Sequence, residues 1–131
     1  MESLSKLLKL ENGKTLAEAV AEVEYGASYL DWFAGEAIRS YGDTIPSRNP
    51  ATANFVIGQP VGVCAIIAPW NFPIAMITRK LGPAIAAGCT AIVKPPQETP
   101  LCVLALGHVA LQAGLPPRVI QITPSTNRAV A

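Results

Sequence analysis

Apolar positions along the chain change period several times, and each change marks an element. Leu4, Leu7 and Leu8 fall on helical spacing and run into Asn12-Gly13, a pair that ends helices. Thr15, followed three residues later by Glu18, forms a capping-box pattern, so a second helix starts there. Leu16, Val20, Val23, Ala27, Leu30, Ala34 and Ile38 then recur every three or four residues. That spacing predicts one buried stripe, thickened by Tyr25, Tyr29, Trp32 and Phe33. The helix is expected to reach about Ser40 and to stop before Gly42-Asp43. Residues 47–53 are polar and broken by proline, which predicts a loop, and residues 54–58 form a short strand candidate.

From residue 62 the pattern becomes strand, helix, strand, helix, strand. Residues 62–68 are continuously apolar with no alternation, which suits a strand covered on both faces. Residues 74–87 read as a helix with Pro73 in its first turn and Gly88 at its end. Residues 90–94 are the next strand. Thr99 is placed to cap a helix that begins with Pro100, runs to Ala113 and ends at Gly114. Residues 119–123 are a third strand. Units of this kind make right-handed crossovers and a parallel sheet. The fold class is therefore α/β: a partial doubly wound, Rossmann-like sheet behind leading helices and a short β-arm. The divisions are leading helices over 1–43, loop and β-arm over 44–60, and half of a nucleotide-binding domain over 61–131. The alternation is still running at residue 123, so the chain reads as part of a larger fold.

Composition removes several classes of function. Half of the 131 residues are hydrophobic and 15% are charged, which excludes a disordered chain. The formal charge is +1 with no Lys/Arg cluster, so nothing recommends nucleic acid or an anionic membrane as partner. Cys64, Cys89 and Cys102 are odd in number and widely spaced, which argues against a disulfide framework or zinc site and for a reducing compartment. His108 is the single histidine, so no His-rich metal site is expected. Residues 57–78 carry no formal charge and are long enough to raise a membrane span, but Pro60, Pro69 and Pro73 interrupt them. Each interior proline costs a helix about 3 kcal/mol, so this stretch is not read as a span. The first residues resemble neither a secretory nor a mitochondrial leader.

Ligands in open parallel sheets bind beyond the carboxyl ends of the strands. Two such ends carry unusual chemistry. One is Pro69-Trp70-Asn71-Phe72-Pro73, where two prolines bracket an amide side chain, and the other begins at Lys94. No Gly-x-Gly-x-x-Gly turn is present. From the residues alone, the first is either a rigid corner whose asparagine caps the next helix or part of a site. The second is either a site or a solvated lysine.

These segments, with Glu11-Asn12-Gly13-Lys14, Pro60-Val61-Gly62-Val63, Leu81-Gly82-Pro83-Ala84, Ala87-Gly88-Cys89-Thr90 and Val93-Lys94-Pro95, occur in an order that resembles the aldehyde dehydrogenase superfamily. The resemblance runs from about residue 4 to about residue 123. The run Met76-Ile77-Thr78-Arg79-Lys80 is most similar to that of succinate-semialdehyde dehydrogenases. The resemblance implies that Asn71 donates to the oxyanion. It implies that Ile67, Ala68 and Trp70 line the nicotinamide side of NAD or NADP, and that Lys94 contacts the adenosine ribose or its phosphate. Gln97 stands where many NAD-preferring relatives have Glu, which implies tolerance of NADP. Arg79 would hold the distal carboxylate of a small aldehyde substrate, with succinate semialdehyde as the expected one. The family's nucleophilic cysteine and general-base glutamate are not matched here, so the chain alone is expected to be inactive. Cys102, near a helix start, is a weaker candidate for a reactive thiol. A homo-oligomer in a cytoplasmic or mitochondrial setting is implied for intact relatives. The alternative is a non-catalytic nucleotide-binding or subunit-interaction fragment.

Overall fold

The computed structural model describes residues 2–126. Two helices, α1 (Glu2–Asn12) and α2 (Leu16–Ala37), precede an antiparallel ribbon of β1 (Asp43–Ile45) and β2 (Asn54–Val56). Then come β3 (Val63–Ile67), α3 (Pro73–Ala86), β4 (Thr90–Lys94), α4 (Pro100–Gln112) and β5 (Ile120–Ile122). The second sheet has the order β3-β4-β5, and both pairings are parallel. The expected α/β unit is therefore present. Strand β1 was not foreseen, because Asp43-Thr44-Ile45 is too short a run to register between Gly42 and Pro46.

The strand order explains which face is covered. Crossovers of one hand that always step in the same direction put α3 and α4 on one side of the sheet. Ile66, Ala91 and Val93 point to that side and are buried. Val63, Ile67 and Ile92 point the other way and remain 67%, 54% and 46% exposed. The expectation that residues 62–68 are covered on both faces is thus not met among the described residues. An apolar run shows what a strand is able to bury, while topology decides which side receives the helices.

The stripe expected on α2 also needs correction. Its buried residues are Ala19, Glu22, Val23 and Gly26, whereas Leu16, Val20, Leu30 and Ile38 are exposed. The partner is α3, and the approach is close. A Cβ added to Gly26 would lie 3.0 Å from Ile74 Cγ2 and 3.2 Å from Thr78 Oγ1. Small residues set this contact, and a stripe sought by hydrophobicity passes over them. The Thr15–Glu18 capping box forms as expected, and α2 ends at Ala37 rather than Ser40. Leu8, Val23, Ile66, Ile74, Ile77, Leu81, Val93 and Val103 form one core that joins the leading helices to the sheet. Among the described residues, no helix is long and apolar enough to cross a membrane.

Candidate active site

The loop after β3 is held from outside itself. Helix α1 is followed by Gly13, whose φ of +84° is a conformation that glycine adopts without a Cβ clash. The residues on either side of Gly13 reach across to the loop. Asn12 Nδ2 donates to the Trp70 carbonyl at 2.8 Å, and Lys14 Nζ donates to the Asn71 carbonyl at 3.0 Å. The Lys14 ammonium also lies 4.6 Å from the centroid of the Phe72 ring and pairs with Glu22. On the strand side, Lys80 donates to the Ile67 carbonyl.

Glu22 is the unexpected member. Its side chain has no solvent exposure, yet it carries a carboxylate. Its Oε1 accepts from the backbone N–H of Ile74 at 2.9 Å and of Ala75 at 3.4 Å, and its Oε2 meets Lys14. Those N–H groups are among the four that open a helix without an internal partner. Phe72, the N-cap residue of α3, makes no side-chain capping bond. The cap therefore comes from α2, and Asn71 does not cap α3. Asn71 is exposed, and among the described residues its side-chain amide has no hydrogen-bond partner.

Helix α4 is built the same way. Thr99 occupies the N-cap position, but its side chain makes no capping bond, contrary to the sequence expectation. Its hydroxyl is buried without a partner. Glu11 caps α4 instead, accepting from Leu101 N–H at 2.6 Å and Cys102 N–H at 2.8 Å. The idea of a reactive Cys102 fails for the same reason. The residue is fully buried, and burial, followed by the Glu11 carboxylate, pushes its thiol well above the usual range. Cys89 is also buried. Cys64 is half-buried, and its thiol is pushed up by burial and then by its hydrogen bond with Cys89.

The remaining predicted site residues fall into two groups. Ile67 and Lys94 are register partners at the carboxyl ends of β3 and β4. Ile67 and Trp70 expose more than half their surface there, while the Ala68 side chain lies in the core and offers only backbone to the site. Among the described residues, Lys94 is half-buried with no ion-pair partner. Gln97 Nε2 donates to the Thr126 carbonyl at 2.8 Å beside a cleft of about 370 Å³ lined by Pro96, Gln97, Pro100 and residues 124–126. A separate cavity of about 490 Å³ is lined by Asn12, Lys14, Glu22, Tyr25, Asn71 and Phe72. Arg79 lies further along α3, about 9 Å of helix rise from Pro73. Its guanidinium contacts Met76 Sδ at 3.7 Å, is close enough to influence the Tyr29 phenol, and has no carboxylate partner among the described residues.

Sequence reasoning did not assign roles to Glu11, Asn12, Lys14 or Glu22. Glu22 left no distinctive signal, because Glu18 and Glu24 lie close to it in the sequence and nothing local sets it apart from them. Among the described residues, no group of three or more His, Cys, Asp or Glu side chains is arranged to hold a metal.

Comparison with known proteins gives this arrangement a context. An NADP(+) succinate-semialdehyde dehydrogenase of Escherichia coli is 51% identical over 129 residues, covering 98% of this chain and 27% of that protein. A glutarate-semialdehyde dehydrogenase of Pseudomonas aeruginosa is 54% identical over 121 residues, covering 92% of this chain and 25% of that protein. The crystal structure of an Escherichia coli NADP-dependent enzyme superimposes with a TM-score of 0.94 at 51% identity, over 98% of this chain and 27% of that one. The chain thus spans about a quarter of the length of the relatives it matches. The aldehyde dehydrogenase family pattern matches residues 1–131, and the chain belongs to the aldehyde dehydrogenase family.

Proposed function

We propose that these residues are the part of an NAD(P)-dependent aldehyde dehydrogenase that supplies the oxyanion donor, one wall of the cofactor site and an anchor for a substrate carboxylate. The observation that carries the reading is the unengaged Asn71 amide. Capping of α3, the bland use for an asparagine at this position, is performed by Glu22. That leaves an N–H donor on a braced loop beside a cavity. When a nucleophile adds to an aldehyde, the carbonyl oxygen becomes negative, and a fixed donor at that point lowers the barrier. One such donor is worth about 3–4 kcal/mol.

Arg79 supports a substrate that ends in a carboxylate. Its planar fork binds carboxylates bidentately, and no acidic side chain among the described residues occupies it. Succinate semialdehyde is the proposed substrate, and glutarate semialdehyde is the same chemistry with one more methylene.

The strand ends fit part of a dinucleotide. Lys94 is free to meet ribose or phosphate oxygens, and Trp70 and Ile67 present apolar surface. Gln97 adds no negative charge to repel a 2′-phosphate, so NADP is accommodated as well as NAD. The bound nicotinamide would accept the hydride released as the aldehyde is oxidised to the acid. The starts of α3 and α4 do not fit the pyrophosphate, because Glu22 and Glu11 already fill them with carboxylates. None of the three thiols suits the nucleophile, so the chain alone has no turnover in this reading. The intact enzyme is a homo-oligomer of the cytoplasm or mitochondrion. The exposed face of Val63, Ile67 and Ile92 supports a second reading, a fragment that associates with other subunits without catalysis.

A graft tests the proposal. Residues 1–131 replace the matching quarter of the Escherichia coli relative, and NADP-dependent oxidation of succinate semialdehyde is followed at 340 nm. The graft is expected to turn over, and Asn71→Ala to lower kcat by about 10²–10³-fold. A graft whose kcat is indifferent to Asn71→Ala refutes the oxyanion role.

A further inference from the structure

We infer that Asn12 and Lys14 are positioning residues that aim the Asn71 amide, and that the turn carrying them is locked to the fold by Glu11 and Glu22. The inference rests on the oxyanion role proposed above for Asn71.

The geometry is that of two pinned planes. A peptide unit is planar, so fixing its carbonyl oxygen largely fixes the unit. The Asn71 Cα joins the 70–71 unit to the 71–72 unit. Asn12 holds the carbonyl of the first and Lys14 holds the carbonyl of the second. With both planes held, the φ and ψ of Asn71 are set, and only its side-chain torsions remain. The helix that follows is fixed as well, because Glu22 binds the N–H of Ile74 while its other oxygen meets Lys14.

The holding groups are themselves anchored. Glu11, at the same turn, ties it to the start of α4 through Leu101 and Cys102. Gly13 supplies the reversal that lets Asn12 and Lys14 face the loop together. All four side chains of this frame lie 52 to 91 residues from the backbone groups they bind, so no local turn geometry accounts for them. Each of these long-range bonds ends on a main-chain group rather than a side chain. The frame therefore constrains where Asn71 sits without occupying its amide.

The graft described above provides the test. Asn12→Ala is the primary variant, because Asn12 is half-exposed and lies outside the buried Lys14–Glu22 pair. We expect kcat to fall about tenfold, with KM for aldehyde and for NADP within about twofold, since sub-ångström looseness at a donor affects the reacting complex rather than binding. Lys14→Met also strands the buried Glu22 carboxylate, so it is expected to lower kcat at least as much, and Lys14→Arg to restore most of the loss. The decisive readout is the double variant. In an Asn71→Ala background, Asn12→Ala is expected to have no further effect on kcat, whereas a general structural role would be additive. Additive losses, or an unchanged kcat in Asn12→Ala, overturn the inference while leaving the Asn71 role intact. Indifference to Asn71→Ala itself overturns both. A second measurement needs no turnover. In the 131-residue chain carrying Trp32→Phe, Trp70 is the only indole left. Asn12→Ala is expected to increase iodide quenching of Trp70, and unchanged quenching counts against the clamp.

Discussion

Replacing Glu22 by leucine disrupts a buried ion pair and a helix cap at a single side chain. The substitution removes the cap from Ile74 and Ala75 and leaves Lys14, whose side chain is 11% exposed, without its counter-charge. Breaking a buried pair from one side costs about 3–5 kcal/mol, because the surviving charge stays desolvated. Glu22→Gln keeps an acceptor for Ile74 but turns an amide N–H toward the Lys14 ammonium. Loss of that charge-assisted bond costs about 1.5–3 kcal/mol. Against a total stability of about 5–15 kcal/mol, the leucine variant is severely weakened. Urea unfolding of the chain, followed by far-UV circular dichroism, reads the difference. With a slope of about 2 kcal/mol/M, the leucine variant should unfold about 1.5–2.5 M earlier. Adding Lys14→Met should recover part of the loss, because no charge then remains buried. A shift below about 0.5 M for Glu22→Leu, or no recovery in the double variant, would refute the reasoning.

Three further outcomes rest on the same fold. Thr99→Val should leave stability unchanged or raise it by about 1 kcal/mol, since the buried hydroxyl has no partner; a clear loss in urea unfolding would show that the hydroxyl caps α4 after all. Iodoacetamide labelling of the native chain, mapped by mass spectrometry, should modify Cys64 before Cys89 and leave Cys102 untouched until unfolding, and early labelling of Cys102 would contradict its burial. Glu18 is held below the usual carboxylate range, first by the Thr15 hydroxyl and then by the Thr15 backbone N–H. Its native pKa is depressed, so its contribution is present above the ordinary carboxylate value and lost as pH falls through the lower native one. Amide exchange in the first turn of α2 should accelerate over that acid window, and Thr15→Ala should weaken the pH dependence without abolishing it, because the backbone N–H at position 15 still binds Glu18.

The sequence shows where elements are but not how they are joined. Strand β4 occupies residues 90–94 as the pattern predicts, and α3 begins at the expected proline. Both depend on local signals, namely β-branched residues between a glycine and a proline, and a proline at a helix start. The loop at residues 69–73 is equally legible, since two prolines around an amide are conspicuous. What was hidden is non-local. Thr99 has the chemistry of a cap and sits in the right place, yet Glu11 caps α4 from about 90 residues away. The buried side of α2 was misread because close helix contact selected Ala19 and Gly26 over larger apolar residues, and because Glu22 on that side is buried for its hydrogen bonds.

The two borrowed caps carry a consequence for how the chain opens. A helix capped by its own preceding residue can fray or re-form by itself. Helices α3 and α4 cannot complete their first turns unless α2 and α1 are docked, because the acceptors for Ile74 and Leu101 belong to those helices. The leading helices and the sheet unit should then behave as one foldon rather than two. In native-state hydrogen exchange, the amides of Ile74, Ala75, Leu101 and Cys102 should share a single opening free energy with the cores of α1 and α2. Detaching residues 1–37 should remove protection at these four positions together, far along the chain from the cut.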